Sequence, residues 1–355
     1  MIVVEIKEQI DEEEWDNLLL SSESSLFYQS SDYHKLVQKY LDVQLYYIIA
    51  YQGGKLMGGL PIMITSNNDV GNVGNSLPFY GSNGTIAIDS SLSEKETEAI
   101  HNEIITSLNK IISEKCIAYT IVSNPFEVQQ QDWLKDNFEY NFTDYRIGQI
   151  TLLPEMSDDI GGDLLKMYHD PRPRNIRKAV KSDVKIEFSS DLVDLKFLCK
   201  VHQDNIKAIG GISKEWRFFE LINELIPKKH YKVWIAKIDG KKVAGLLAFY
   251  FNKTVEYYTP ATIHEFRNLQ PSALIIHEAM INAVQQGYKN WNWGGTWITQ
   301  KGVYNFKKKW AATEMRYNYY TKVIDMSILN QSKDYFLDKY PYFYVVSFDN
   351  LNKNE

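Results

Sequence analysis

The chain has 355 residues, a formal charge of −6 and a pI near 5.7, with 44% hydrophobic and 14% aromatic residues. This length favours two domains over one, and the acidic balance argues against a long nucleic acid as the main partner. Two cysteines, Cys116 and Cys199, exclude a disulfide framework and lack metal-ligand spacing, so no metal is expected.

The N-terminal stretch "MIVVEIKEQIDEEEW" has no basic n-region and no long apolar core, so it does not read as a signal peptide. No apolar run approaches the ~20 residues of a membrane-spanning helix. A reducing, cytoplasmic location is expected.

Tyr46 to Ile64, "YYIIAYQGGKLMGGLPIMI", reads as strand, Gly-Gly turn, strand. An aromatic, Gly-rich segment follows ("LPFYGSNGTIAI"), then a helix from Ser93 to Lys115 and an apolar strand ("IAYTIV"). Tyr145 to Leu153, "YRIGQITLL", is expected to close this half. The polar stretch from Pro154 to Asp163 marks a boundary.

The second half repeats the order. Tyr231 to Phe251 forms a hairpin turning at Asp239-Gly240, and Gly54 and Gly240 stand about 186 residues apart, a domain-scale repeat. Each hairpin has a glycine early in its second strand, Gly59 and Gly245. A tyrosine-rich strand ("TVEYYTPA"), a helix from about Ser272 to Gly287, an aromatic strand ("NWNWG") and a closing strand from Met315 to Ile324 follow. A helix between strands implies a partly parallel sheet. The pattern predicts an α/β fold of two modules on one plan, residues 1–155 and 156–330, with a helix and an aromatic run in a C-terminal extension, 331–355.

Three stretches carry chemistry. Between the tyrosine-rich strand and its helix lies "PATIHEFRNLQPSA", where Pro271 and Ser272 suit a first helical turn. Such a turn either receives a phosphate through its N–H groups or is an ordinary capped start. "RPRNIRKAVK", Arg172 to Lys181, has five positive charges and no acid. At helical spacing Arg174, Arg177, Lys178 and Lys181 share one side, with Ile176 and Val180 on another. This face is a phosphate-binding surface or a solvated one. "WNWGGTWITQKGVYNFKKKW" pairs two glycines, Gly294 and Gly295, with a helical run that sets Val303, Phe306 and Trp310 on one side. Lys307, Lys308 and Lys309 fan over the rest. The P-loop spacing, GxGxxG, HExxH and GxSxG are all absent, and the seven histidines are scattered.

The ordered set "RNIRKAVKSDVKI", "WIAKIDGKKVAGLLAFY", "TVEYYTPATIHEFRNLQPSALIIHEAM", "NWNWGGT" and "KGVYNFKKKWAA" resembles the second domain of Fem-type aminoacyltransferases and their acetyltransferase relatives. "SLFYQSSDYHKLVQKY" and "SLPFYGSNG" resemble segments of the same family's first domain. The resemblance covers most of residues 20–325 and implies two tandem GNAT-like domains, each a mixed twisted sheet flanked by helices. It also implies acyl transfer from a thioester or an aminoacyl-tRNA to an amine. In place of the glycine-rich acyl-CoA loop of simple GNAT enzymes stands "RNLQPSA", and the coiled-coil arm of some peptidoglycan-bridge enzymes has no counterpart.

On that resemblance, the expected reaction moves an acyl group from acyl-CoA to a nucleotide-linked amino sugar for surface polysaccharide. The alternative is a tRNA-dependent ligase acting on a peptidoglycan precursor. No DNA partner is expected, and tRNA only under the alternative. Direct attack by an amine needs positioning, a proton route and oxyanion donors rather than a nucleophilic side chain. Glu256 is the candidate base and Tyr258 and Tyr304 are candidate acids. Arg174, Arg177 and Lys307 are candidate phosphate ligands, with Lys35 and Tyr80 as first-domain contributors. Arg267, Ser272, Gly294 and Gly295 are candidates for holding the acyl-CoA.

Overall fold

A computed structural model describes residues 1–67, 69–79, 81–297 and 299–352. The chain forms two α/β units, Met1–Arg146 with Arg316–Glu355, and Ile147–Met315.

The first unit opens with β1 (Ile2–Lys7), α1 (Glu12–Leu20) and α2 (Ser31–Leu41), followed by the hairpin β2 (Gln44–Gln52) and β3 (Lys55–Ile64). Then come β4 (Val73–Asn75), β5 (Ala87–Ile88), α3 (Glu94–Lys115), β6 (Ala118–Val122), α4 (Val128–Asn137) and the first residues of β7 (Phe142–Leu152). Its sheet runs β1-β2-β3-β4-β6 and ends on β13 (Thr313–Val323), with β5 beside β3. The β4–β6 pair is parallel and the others are antiparallel. Packed on it are the isoleucines of α3 and, from the C-terminal segment, Ile328, Leu329, Phe336 and Tyr340 around α11 (Lys333–Lys339).

The second unit contains α5 (Ile160–Met167), α6 (Arg172–Lys181), β8 (Lys185–Ser189), α7 (Leu192–Lys207) and α8 (Trp216–Leu225). The hairpin β9 (Tyr231–Ile238) and β10 (Lys241–Phe251) leads to β11 (Thr254–Thr262), α9 (Pro271–Gln285), β12 (Asn290–Thr296) and α10 (Lys301–Lys308). Its sheet runs β7-β12-β11-β10-β9-β8, with β11 parallel to β12. The α/β class and the mixed sheets flanked by helices are those the pattern predicts.

The repeated hairpin glycines have a steric cause. A Cβ on Gly59 would lie 2.6 Å from Trp15 of α1, and one on Gly245 would lie 3.2 Å from Leu198 of α7. In each unit a helix side chain seats on the glycine of the second hairpin strand: a Cβ would clash at Gly59 and would crowd Leu198 at Gly245.

The closing strands differ from expectation. Residues Ile147 to Leu152 of β7 pair with β12, and Tyr319 to Val323 of β13 pair with β6. Each closing strand thus belongs largely to the other half of the chain. Side chains fix both pairings: Trp293 Nε1 donates to Thr151 Oγ1 at 2.9 Å, and the Thr120 and Thr321 hydroxyls bond at 2.8 Å. The units therefore divide within β7 and β13, not at 155/156 and 330/331, and the extension is part of the first unit's core.

Four histidines are buried: His34 and His101 in the first unit, His202 and His277 in the second. Burial lowers His34 to about 3 and the other three to about 4, with the Lys214 charge adding to the effect on His202. The unfolded chain takes up these protons below about 6.5 while the folded one does not. Their stabilising contribution is full above that pH and is lost as pH falls toward 3 to 4. Urea unfolding between pH 7 and 5 should show stability dropping by about 1 kcal/mol per pH unit for each histidine engaged. A flat profile over that interval contradicts this.

Candidate functional site

β11 and β12 pair only over Thr254–Glu256 and Asn290–Asn292. Beyond this, β12 continues against β7, where Gly295 faces Gly148. Among the described residues no further β11–β12 pair forms, so the parallel strands part in mid-sheet. β11 carries a bulge there: Thr259 pairs with Leu247 and Tyr257 with Ala248, leaving Tyr258 as the extra residue.

The bulge sends neighbouring tyrosines to opposite faces. Tyr257 lies on the α9 side, 4.8 Å from the ring of Trp293, and feels the charge of Arg172. Tyr258 packs on the other side, stacked on Phe218 at 5.9 Å and edge-on to Phe249 at 4.9 Å. Glu256 pairs with Phe249 and Asn292 and is fully buried. Asn292 Oδ1 accepts from the Gly294 N–H at 2.9 Å, while its Nδ2 and the Thr259 hydroxyl have no partner among the described residues. Lys214, just before α8, holds its ammonium 4.9 Å from the centre of the Tyr258 ring.

On the other side, where β11 ends, α9 begins without a side-chain cap. Its N-cap, Gln270, is left-handed (φ 62°), Pro271 opens the helix and no acid occupies the first turn. These features leave the positive end of the helix dipole uncompensated. A pocket of about 80 Å³ lies at this start, lined by Arg172, Thr262, Arg267, Gln270, Pro271, Ser272, Ala273, Phe306 and Trp310. Arg172 is buried, with its guanidinium 4.3 Å from the Phe306 ring and donating to the Phe306 carbonyl at 3.1 Å. Burial lowers its pKa. Arg172 Nε and Trp310 Nε1 have no hydrogen-bond partner among the described residues. Arg172, Trp310 and an open helix start therefore border one small cavity, and an open helix start is a feature that can receive an anion.

The corresponding helix of the first unit is closed. At α3, Ser93 caps the Glu96 N–H, the Glu96 carboxylate accepts from the Ser93 N–H at 3.0 Å, and Glu94 adds a second acid. Its own carboxylate sits where an anion would.

The expected residues fall into distinct places. Arg267 and Ser272 line the pocket; Arg267 also donates to Asn205 at 2.5 Å, and the Ser272 hydroxyl bonds that of Thr262. Arg174 and Arg177 are exposed on α6 and do not line it. Val180 is also exposed, because the buried stripe of α6 is Arg172, Ile176 and Ala179. Lys35 is on α2 and pairs with Glu12. The Tyr304 hydroxyl donates to Glu314, which raises its pKa and makes it a weaker acid. Tyr80 lies outside the described residues.

Lys307 is a correction. It is buried, and its ammonium donates to the carbonyls of Gly294 and Gly295 at 3.1 Å each and to Thr296 Oγ1 at 2.8 Å. Three donors meet three acceptors, which leaves none for a phosphate. The same bonds engage the Gly294 and Gly295 carbonyls in docking α10. Burial lowers Lys307 to about 8.

Periodicity does flag Arg172, since it stands four and seven residues before Ile176 and Ala179. Lys214 and Trp310 have no such local signal as site residues.

With this geometry in view, one segment has a family match. Residues 228–318 match the FemAB family. This segment holds β10, β11, α9, β12 and α10, and therefore most of the site. The fold is similar to that of the crystal structure of FemX, with a TM-score of 0.71 and 14% identity, covering 91% of this chain and 98% of that one. It is also similar to a conserved protein of unknown function from Bacteroides thetaiotaomicron VPI-5482, with a TM-score of 0.56 and 12% identity over 90% and 100% of the two chains. At these identities the likeness concerns the fold alone. No curated protein matches the chain. Among the described residues no helix is long and apolar enough to cross a membrane.

Lys307→Met should leave two carbonyls and a hydroxyl without their cation and cost about 2–4 kcal/mol in urea unfolding. Exposed Lys308→Met should cost under about 0.5 kcal/mol. A Lys307→Met protein of unchanged stability but raised KM for an anionic substrate would return Lys307 to the phosphate ligands.

Proposed function

We propose that the chain is an N-acyltransferase that grips its donor by a phosphate at the start of α9 and presents the acyl carbonyl where β11 and β12 part. The observation that carries this reading is the pocket bordered by Arg172, Trp310 and the uncapped start of α9. An acyl chain passing between the parted strands moves from the α9 side toward Glu256. There the buried carboxylate takes the proton of the attacking amine, and strand N–H groups released from pairing meet the developing oxyanion. Tyr258, on the Glu256 side, lends its hydroxyl to the leaving group.

In its specific form the donor is acyl-CoA and the acceptor is the amine of a nucleotide-linked amino sugar, for surface polysaccharide. Exposed Arg174 and Arg177, on the helix that supplies Arg172, are available for a second phosphate. A second reading, favoured by the FemAB match and the FemX-like shape, is a ligase that uses aminoacyl-tRNA and extends a peptidoglycan precursor. Both donors carry phosphate. Turnover that survives ribonuclease and releases free thiol supports the first reading; loss on ribonuclease treatment supports the second.

Arg172→Met removes a buried, incompletely bonded charge, so its melting temperature should hold or rise. Donor affinity, read by calorimetry with CoA, should fall by about tenfold or more. Unchanged affinity would remove the pocket from the donor site.

Glu256→Gln keeps the shape and removes the base. It should lower kcat by about a hundredfold or more at unchanged donor affinity. Wild-type turnover in this variant would exclude Glu256 as the proton acceptor.

A further inference from the structure

We infer that Lys214 is an acylation site of the chain itself, an internal amine that takes the acyl group from the enzyme's own donor. The inference rests on the acyl-transfer reading of β11.

Lys214 ends the loop between α7 and α8, whose residues Ile209 to Ile212 are exposed, with Ile209 and Ile212 each at 78%. The lysine itself turns inward. Its ammonium lies 4.9 Å from the centre of the Tyr258 ring, and its backbone N–H is 3.5 Å from His202 Nε2. Tyr258 is the bulge residue beside the strand parting, and Glu256 lies on the same side of β11. A primary amine of the chain thus rests on the side of the sheet from which an acceptor amine would approach. Burial lowers Lys214 to about 8, so about a tenth of it is neutral near pH 7.

The step balances without a further reagent. The Nζ lone pair attacks the thioester carbonyl carbon, a C–N bond forms, the C–S bond breaks and the electron pair leaves with sulfur. The ammonium sheds two protons in all, one to Glu256 and one to the departing thiolate. The products are an amide on Lys214 and a free thiol. An acylated Lys214 is uncharged and longer.

The test uses the wild-type full chain, acetyl-CoA and a phosphate-free thioester, S-acetyl-N-acetylcysteamine, with peptide mass spectrometry over time. Lys214 should acquire acetyl about tenfold faster than exposed Lys178 with either reagent, and Lys214→Arg should remove that signal alone. Labelling of Lys214 no faster than Lys178 by the phosphate-free thioester overturns the proposal, whatever acetyl-CoA does. Rapid labelling by that thioester with none by acetyl-CoA supports the proposal and removes CoA as the donor.

Discussion

The second unit's site depends on one ammonium. Lys307 bonds the carbonyls of Gly294 and Gly295 and the hydroxyl of Thr296, and so pins α10 to the end of β12. That docking places Phe306 and Trp310. Phe306 then holds Arg172 by its carbonyl and its ring, and Trp310 stands 5.2 Å from the same guanidinium. The pocket at α9 is therefore built on a cation whose three donors are already taken. An ammonium suits this task because three divergent donors can tie a glycine-rich strand end, which lacks side chains to anchor it.

The two units share a plan and differ where chemistry needs them to differ. Both seat a helix side chain on a hairpin glycine, and both follow the hairpin with a helix that returns the chain to the sheet. At α3 the start is sealed by Ser93 and Glu96, and the dipole is satisfied internally. At α9 a left-handed Gln270 and Pro271 do the turning without supplying a carboxylate or hydroxyl cap. The open start is less stable by roughly the 1 kcal/mol a cap contributes, and what remains is a helix start whose N–H groups no side chain caps. An acidic chain thus gathers local positive potential from α6 and α9 at one place.

Much of this was legible in the sequence, for physical reasons that also set its limits. Hairpins, the α3 and α9 helices and the aromatic β12 are local patterns, and each appears where periodicity and turn residues put it. The pairing of β7 with β12 and of β13 with β6 is non-local, and nothing in "YRIGQITLL" states which neighbour its backbone meets. The lysine run offers Lys307 as a phosphate ligand because nothing in the spacing shows that its ammonium meets the carbonyls of Gly294 and Gly295. In α6 the charge density draws attention to Arg174 and Arg177, yet the stripe shared with Ile176 and Ala179 belongs to Arg172. Placement of Lys214 over Tyr258 requires the loop after α7 to fold back, which no spacing encodes.

Three cations of the second unit are drawn inward, and their bonding separates their roles. Lys307 is saturated: every donor has an acceptor, so a ligand could add nothing, and its burial is repaid by docking α10. Arg172 is incompletely bonded: its Nε has no hydrogen-bond partner among the described residues, and the residue borders the same cavity as Trp310 and the open start of α9. Lys214 rests against an aromatic ring, an interaction of about 1–2 kcal/mol that steadies its charge. Counting donors against acceptors therefore separates Lys307, whose donors are all taken, from Arg172, whose Nε is not. Charge density along α6 ranks Arg172 below its exposed neighbours Arg174 and Arg177.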